Sequence, residues 1–297
     1  MIRTRTRAIA AGATLALLLG AVGAPAVTAQ DEMAAAEAAV AIPAEGYDIA
    51  GTLALPAAAE GPVPAVLMLH GYGSSADEVG GMYARLAEAL AAQGVGSLRI
   101  DFAGMGASEA SMLDYTNGSM IDDASVALEW LVTQDAVDPA RVGVQGFSMG
   151  SRIGAHLVGT DERPIAFGSW SGAIYDGDPA TRAEDLAACE ATGEGQIELD
   201  LGWRTIVHSC DFFVQEGTAT SLTDFAPFSG ALLLIAGTDD VVVPKEISEQ
   251  AASASASEDV TLELIDGADH IYHVFDEGQT LADQVISTTA DWYAEKL

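Results

Sequence analysis

The chain has 297 residues, of which 44 are acidic and 12 are basic, so its formal net charge is −32 at pH 7. This length suits one large α/β domain or two small ones, and 49% hydrophobic residues can fill a sizeable core. A surface this acidic repels phosphate backbones and anionic lipids, which excludes nucleic acids and membrane surfaces as partners of the mature chain.

The first 45 residues differ in composition from the rest of the chain. Three arginines among the first seven residues precede an apolar run at 8–22, and small residues suited to cleavage follow at 27–29. This pattern predicts a secretory signal peptide over residues 1–29, with a retained membrane anchor as the alternative. Residues 30–45 are rich in Ala and Glu and predict a flexible acidic leader. We therefore expect a secreted protein, either extracellular or periplasmic.

The chain contains two cysteines, Cys189 and Cys210. An even number of cysteines in an exported protein permits a disulfide bond. We expect these two to pair, and the alternative is two separate buried thiols.

From residue 46 onwards, short apolar segments alternate with segments of helical periodicity. The first helix runs through Met82, Leu86 and Leu90, which recur at a spacing of four. The predicted strands cover residues 47–55, 63–69, 95–100, 142–145, 164–170, 231–236 and 260–265. The other predicted helices cover residues 121–132, 153–158, 247–254 and 281–293. This alternation predicts an α/β fold over residues 46–297, a mostly parallel sheet with helices on both faces.

Residues 175–228 interrupt this alternation with an acidic insertion of about fifty residues. Ile197, Leu199 and Leu201 alternate with polar residues before Gly202, and Trp203 and residues 205–207 follow it, which predicts a hairpin with a short turn near Gly202. An insertion at the end of the sheet where ligands bind predicts a cap over the site. Its aromatic residues Trp203, Phe212 and Phe213 are candidate substrate contacts.

A Gly-x-Ser-x-Gly pattern is centred on Ser148, between the predicted strand at 142–145 and the predicted helix at 153–158. In a strand–turn–helix context this pattern is typical of a nucleophile elbow, in which Gly146 and Gly150 leave room for a strained turn. We predict that Ser148 is a catalytic nucleophile, and the alternative is an ordinary serine in a turn.

A serine hydroxyl needs a neighbouring base, and the chain offers five histidines. His270 directly follows the strand at 260–265 and is the predicted base, with His273 as the second choice. We expect His70 to stabilise a loop and His156 to be structural. We expect His208 to lie on the surface of the cap, and the alternative is that it contacts the substrate.

The base needs an orienting acid, and two aspartates follow the predicted strand at 231–236. Asp240 is the predicted acid and Asp239 is the alternative, while a third possibility is that both only cap the helix that begins near Pro244. The chain order of Ser, Asp and His is then the order found in proteins with this elbow.

The oxyanion of an acyl-transfer reaction needs two backbone donors. Met149 follows the predicted nucleophile and offers one N–H. Tyr72 offers the other, because Gly71 and Gly73 on either side let the backbone approach a substrate closely.

Two further patterns lack the features of a metal or dinucleotide site. His270 and His273 are three residues apart, which is not the spacing of two metal ligands on one helix, and no cysteine pairs accompany them. Gly104 and Gly106 follow a predicted strand, but the third glycine of a dinucleotide fingerprint is missing. We therefore expect neither a metal ion nor a cofactor.

Five motifs in order give the chain its resemblance to the α/β-hydrolase superfamily. They are MLHGYG at 68–73, RIDFAGMGAS at 99–108, DPARVGVQGFSMG at 138–150, LLIAGTDDVVVP at 233–244 and DGADH at 266–270. Together they span nearly all of residues 46–297. The resemblance implies the α/β-hydrolase fold and a serine hydrolase.

Within this superfamily, the hairpin-bearing insertion resembles that of bacterial feruloyl and cinnamoyl esterases. The segment around Ser148 is also similar to dienelactone-hydrolase-like enzymes, which usually carry a cysteine where this chain has serine. The esterase resemblance implies that Asp240 is the triad acid. It further implies that Asp101 organises loops and takes no part in the chemistry.

These features together predict a secreted serine esterase that cleaves a small carboxylic ester through an acyl-enzyme. One alternative is a serine peptidase similar to prolyl oligopeptidase, which shares the motif at 138–150. The other is a binding protein with a hydrolase fold and no activity. The natural ester and the oligomeric state are left open.

Overall fold

The computed structural model describes residues 35–297, so the predicted signal peptide and residues 30–34 lie outside the described residues. The strands are β1 (Ala35–Pro43), β2 (Asp48–Pro56), β3 (Val63–Leu69), β4 (Gly96–Ile100), β5 (Val137–Phe147), β6 (Pro164–Trp170), β7 (Gln196–Asp200), β8 (Thr205–Ser209), β9 (Ala231–Gly237) and β10 (Val260–Ile265). The α-helices are α1 (Met82–Ala92), α2 (Asn117–Val132), α3 (Met149–Thr160), α4 (Pro179–Ala191), α5 (Cys210–Thr218), α6 (Ser221–Phe225), α7 (Lys245–Ala254) and α8 (Thr280–Lys296). Within residues 35–297, no helix combines the length and the apolar character needed to cross a membrane.

Eight strands form one sheet in the order β1-β2-β4-β3-β5-β6-β9-β10. β2 runs antiparallel to both of its neighbours. The six strands after it in this order are mutually parallel: β4, β3, β5, β6, β9 and β10. The carboxyl ends of the parallel strands therefore meet at one edge of the sheet, where α/β proteins place their binding sites.

Two apolar cores lie on opposite faces of the sheet, and β3 contributes to both. Leu67 and Leu69 face the core formed with α2 and α3, whereas Val66 and Met68 face the core formed with α1 and α8. Successive side chains of a strand point to opposite faces, so a strand buried on both sides is apolar throughout. The predicted α/β fold, a mostly parallel sheet covered on both faces, is confirmed.

The prediction of a flexible leader over residues 30–45 is wrong for residues 35–43. These residues form the edge strand β1, which pairs with β2 from end to end. Ile42 is buried in the core, and Glu37 binds the buried guanidinium of Arg99 at 2.8 Å. Main-chain pairing and these two anchors order a segment whose alanines show no clear periodicity.

The insertion between β6 and β9 holds α4, the β7–β8 hairpin, α5 and α6. The predicted hairpin is present. The predicted disulfide is also present: Cys189 of α4 is bonded to Cys210 at the start of α5, with 5.6 Å between their Cα atoms. The bond joins the base of the hairpin to the helix that precedes it.

Candidate active site

Ser148 lies in the tight turn between β5 and α3, with φ 51° and ψ −114°. A positive φ is strained for a residue with a side chain. Two glycines make the turn possible, because a Cβ at Gly146 would lie 2.4 Å from Ser151 Cα and one at Gly150 would lie 1.9 Å from the oxygen of Leu69. The turn places Ser148 at the carboxyl edge of the sheet.

Replacing Gly150 with alanine is expected to destabilise the protein by about 3 kcal/mol or more, because the new methyl group would overlap the carbonyl of Leu69. Gly61→Ala is the matched control, since a Cβ at Gly61 meets no atom within 4 Å. The control should change stability by less than about 0.5 kcal/mol. Urea unfolding followed by circular dichroism measures both, and equal stability of the two variants would contradict this close packing.

The side chains of Ser148, His270 and Asp240 form one hydrogen-bonded row. Nε2 of His270 lies 3.1 Å from Ser148 Oγ, and Nδ1 of His270 lies 2.8 Å from Asp240 Oδ2. These residues follow β5, β9 and β10 at the same edge of the sheet, which is why they meet although 122 positions separate Ser148 from His270. In such a row the imidazole can take the serine proton while the carboxylate stabilises the imidazolium.

The carboxylate of Asp240 is buried and held from two sides. Its Oδ1 accepts hydrogen bonds from the N–H groups of Val242 and Val243, at 2.8 Å each. Burial acts to raise the pKa of Asp240, but the bonds with His270 and with these two N–H groups outweigh burial and lower it. Asp240 is therefore ionised at neutral pH and can orient the imidazole.

The alternative acid and base do not join this row. Asp239 is exposed, and its carboxylate lies 3.4 Å from the hydroxyl of Thr238. His273 is bonded to Asp276 at 2.9 Å and to the carbonyl of Gly267 at 3.0 Å. The structure thus places Asp240 and His270 beside Ser148, and it places Asp239 and His273 elsewhere.

The other predicted structural histidines have partners of their own. The ring of His70 is bonded to the carbonyl of Gly71 at 2.8 Å and accepts the N–H of Phe102 at 3.2 Å. Burial lowers the pKa of His70 to about 4, so this imidazole is neutral. His156 on α3 pairs with Asp224 at 2.8 Å.

The loop of residues 70–74, named the oxyanion loop here, follows β3 and packs against the nucleophile turn. The N–H of Gly71 donates to Glu78 at 2.5 Å, and the N–H of Gly73 donates to the hydroxyl of Tyr115 at 3.3 Å. Within residues 35–297, the N–H groups of Tyr72 and Met149 have no hydrogen-bond partner. The two predicted oxyanion donors are thus free to bind a substrate oxygen.

Glu78 is a buried residue that the sequence patterns do not reveal. Its carboxylate accepts hydrogen bonds from the N–H groups of Gly71 and Val79 and from the hydroxyl of Ser74, at 2.5–2.7 Å. Burial raises the pKa of Glu78, with the bond from Gly71 acting against burial. Three donors in one place explain why this carboxyl group is tolerated in the interior. Glu78 therefore fixes one side of the oxyanion loop.

Asp101 has the role that the family resemblance implies. Its carboxylate accepts the N–H groups of Ala76 and Ala107, at 2.7 and 3.0 Å. Asp101 thus joins the loop that follows β3, which includes the oxyanion loop, to the loop that follows β4.

The predicted substrate contacts of the cap occupy three different environments. Trp203 lies in the hairpin turn and is 73% exposed, whereas Phe213 is buried within the cap. Phe212 is buried and lies beside Tyr72, with 6.0 Å between the ring centroids. Their contact with a substrate stays a prediction.

The surface position expected for His208 is wrong. Its side chain is 0% exposed, and it stacks on Phe212 with 3.9 Å between the ring centroids. His208 and the buried Ile206 are two residues apart on β8, where successive side chains alternate between the two faces, so both lie on the buried face. That alternation is the signal in the sequence from which the burial could have been inferred.

Across residues 35–297, no group of three or more His, Cys, Asp or Glu side chains is arranged to hold a metal ion.

A family model for the alpha/beta hydrolase fold matches residues 64–166, which hold the oxyanion loop and Ser148. An uncharacterised protein of Mycobacterium tuberculosis is 29% identical over 196 residues, which is 66% of this chain and 59% of that protein. The chain thus spans less than two thirds of the length of this curated relative.

Solved structures extend the similarity to most of the chain. Est1E from Butyrivibrio proteoclasticus, in a structure with ferulic acid bound, has a TM-score of 0.69 at 20% identity and covers 86% of this chain and 100% of its own. The esterase domain of a Rhodothermus marinus protein has a TM-score of 0.64 at 21% identity and covers 88% and 98%. At these identities the likeness concerns the fold. With the family-model match and the sheet topology, it shows that the chain has the α/β-hydrolase fold.

Proposed function

We propose that this protein is a serine esterase that hydrolyses carboxylic esters through an acyl-enzyme on Ser148. The observation that carries the proposal is the row in which His270 lies 3.1 Å from Ser148 Oγ and 2.8 Å from Asp240. Further support comes from the two free N–H groups beside the serine and from esterases among the structural neighbours.

In the first half of the reaction, Ser148 Oγ attacks the carbonyl carbon of the ester and its proton passes to Nε2 of His270. The resulting oxyanion accepts hydrogen bonds from the N–H groups of Tyr72 and Met149. Each of these bonds contributes about 3 kcal/mol of transition-state stabilisation. The tetrahedral intermediate then expels the alcohol, which takes the proton from His270.

In the second half, a water molecule attacks the acyl-enzyme and gives a proton to His270. Collapse of the second intermediate returns that proton to Ser148 and releases the carboxylic acid. Asp240 stays ionised throughout and holds the imidazole with Nε2 directed at the serine.

The charge of the chain and the cap suggest where to look for the substrate. An acidic surface disfavours anionic esters, so we propose a neutral ester. Because Phe212 and Tyr72 border the site and one structural neighbour holds ferulic acid, aromatic acyl esters belong in the first screen. The Cys189–Cys210 disulfide supports the proposed export to an oxidising compartment.

The test compares p-nitrophenyl acetate, p-nitrophenyl butyrate and methyl ferulate with a prolyl p-nitroanilide. We expect kcat/KM to be highest for an ester, and we expect a fluorophosphonate probe to label Ser148, as mapped by peptide mass spectrometry. Faster cleavage of the anilide would favour a peptidase. A folded protein that neither turns over an ester nor reacts with the probe would overturn the proposal.

A further inference from the structure

One face of β8 in the cap hairpin packs directly against the oxyanion loop. Ile206 and His208 are two residues apart, so their side chains lie on the same face of β8, and both are buried. Thr205, the first residue of the strand, is exposed. Ile206 approaches so closely that a Cβ at Gly73 would lie 2.8 Å from its Cδ1. Gly73 also has a φ of 66°, so its backbone conformation and its packing both require glycine.

His208 contacts the residue whose N–H is the predicted oxyanion donor. A hydrogen bond joins His208 Nε2 to the hydroxyl of Tyr72 at 2.5 Å, and the two rings stack with 5.6 Å between centroids. Phe212 lies on the imidazole from within the cap. Burial lowers the pKa of His208 to about 4, so it is a neutral partner for the tyrosine at neutral pH.

Arg204, directly before the same strand, binds the backbone of the loop. Its Nη1 donates to the carbonyls of Gly73 and Ser74, at 3.2 Å each. Residues 35–297 contain nine basic side chains, and the other eight all form ion pairs with carboxylates. Among the lysines and arginines of residues 35–297, Arg204 is the one without a carboxylate partner, and it is bound to this loop although acidic side chains are abundant.

The oxyanion loop is therefore held from two sides. Glu78 and His70 bind the peptide groups of Gly71 from the core, and the β7–β8 hairpin binds Tyr72, Gly73 and Ser74 from the cap. Because Gly71 and Gly73 have wide conformational freedom, the local sequence alone does not fix the direction of the Tyr72 N–H. A donor displaced by about 1 Å can lower a rate by about 100-fold, so such a loop needs external support.

We propose that the β7–β8 hairpin positions the oxyanion loop, with His208 and Arg204 as positioning residues that hold the N–H of Tyr72 toward the substrate oxygen. This inference rests on the proposed esterase function. It gives the cap a part in catalysis that is separate from any contact with the substrate.

The experiment measures kcat and KM for p-nitrophenyl acetate in Tyr72→Phe, His208→Leu and the double variant. Tyr72→Phe removes one oxygen atom and keeps the backbone N–H. Each single variant should lower kcat by about tenfold while KM stays within about twofold, since the donor acts on the transition state. The double variant should be no worse than either single variant, because both remove the same bond.

Affinity for a boronic acid, which forms a tetrahedral adduct with the serine, should fall in parallel with kcat/KM. Thr205→Ala, on the same strand but exposed, is the control and should leave kcat and the melting temperature unchanged. If His208→Leu does not fold, Tyr72→Phe alone decides the question.

Folded variants with an unchanged kcat, or with losses that multiply in the double variant, would overturn the positioning role. Wild-type protein that shows no ester turnover and no fluorophosphonate labelling would instead overturn the esterase function itself. The two failures are therefore distinguishable in the same set of assays.

Discussion

Ser148→Ala is expected to lower kcat for p-nitrophenyl acetate by about 10⁶-fold, because the whole proposed relay acts on the hydroxyl oxygen that the substitution removes. The fold should not change. The N–H of Ser148 donates to the carbonyl of Trp170, and its carbonyl accepts the N–H groups of Ser151 and Ala173, so its structural bonds come from the backbone. Alanine also tolerates the positive φ no worse than serine does.

Thermal unfolding and fluorophosphonate labelling accompany the rate measurement for Ser148→Ala. Ser151→Ala is the matched control. Ser151 lies in the first turn of α3, and its hydroxyl bonds with that of Ser169 on β6 at 2.9 Å and not with His270. The control should retain turnover within a few-fold and should still be labelled. Turnover by Ser148→Ala at anything near the wild-type rate would mean that another group carries the chemistry.

The second large effect is expected at the acid. Asp240→Asn should lower kcat by about 10⁴-fold at neutral pH, because an amide NH₂ facing Nδ1 would favour the tautomer in which Nε2 carries the proton and cannot accept another. KM should change little, since Asp240 makes no proposed contact with the ester. Steady-state kinetics across a series of substrate concentrations separates the two parameters.

Asp239→Asn is the natural control because it changes the neighbouring residue in the same way. Asp239 is exposed and its carboxylate lies 3.4 Å from the hydroxyl of Thr238, so we expect activity within about twofold of the wild type. A reversed result, with Asp239→Asn inactive and Asp240→Asn active, would assign the acid to Asp239 and reject the geometry described above.

Most of the candidate site could be predicted because its parts lie directly after strands. Ser148, Asp240 and His270 each follow an apolar strand, and the carboxyl ends of parallel strands share one edge. The choice between Asp239 and Asp240 could not be made from periodicity. Adjacent residues in a loop point in different directions, and only the position of the imidazole selects one of them.

The residues that support the oxyanion loop could not be predicted, since their partners are distant in the chain. The hydrogen bond between Tyr72 and His208 joins residues 136 positions apart, and neither local sequence predicts it. Glu78 is buried although it lies in a polar segment, because three donors from its own loop surround it. The cap helices α5 and α6 are short, with nine and five residues, and the longer α4 buries only Cys189, so these helices give little apolar periodicity.

The edge strand β1 shows where a shortened version of this protein should not begin. A clone that starts at Gly46, the boundary suggested by composition alone, would lose Glu37 and leave the guanidinium of Arg99 in the interior without this carboxylate. It would also uncover the backbone of β2, and a bare strand edge invites pairing between molecules. Recombinant versions that keep residues 35–43 avoid both problems.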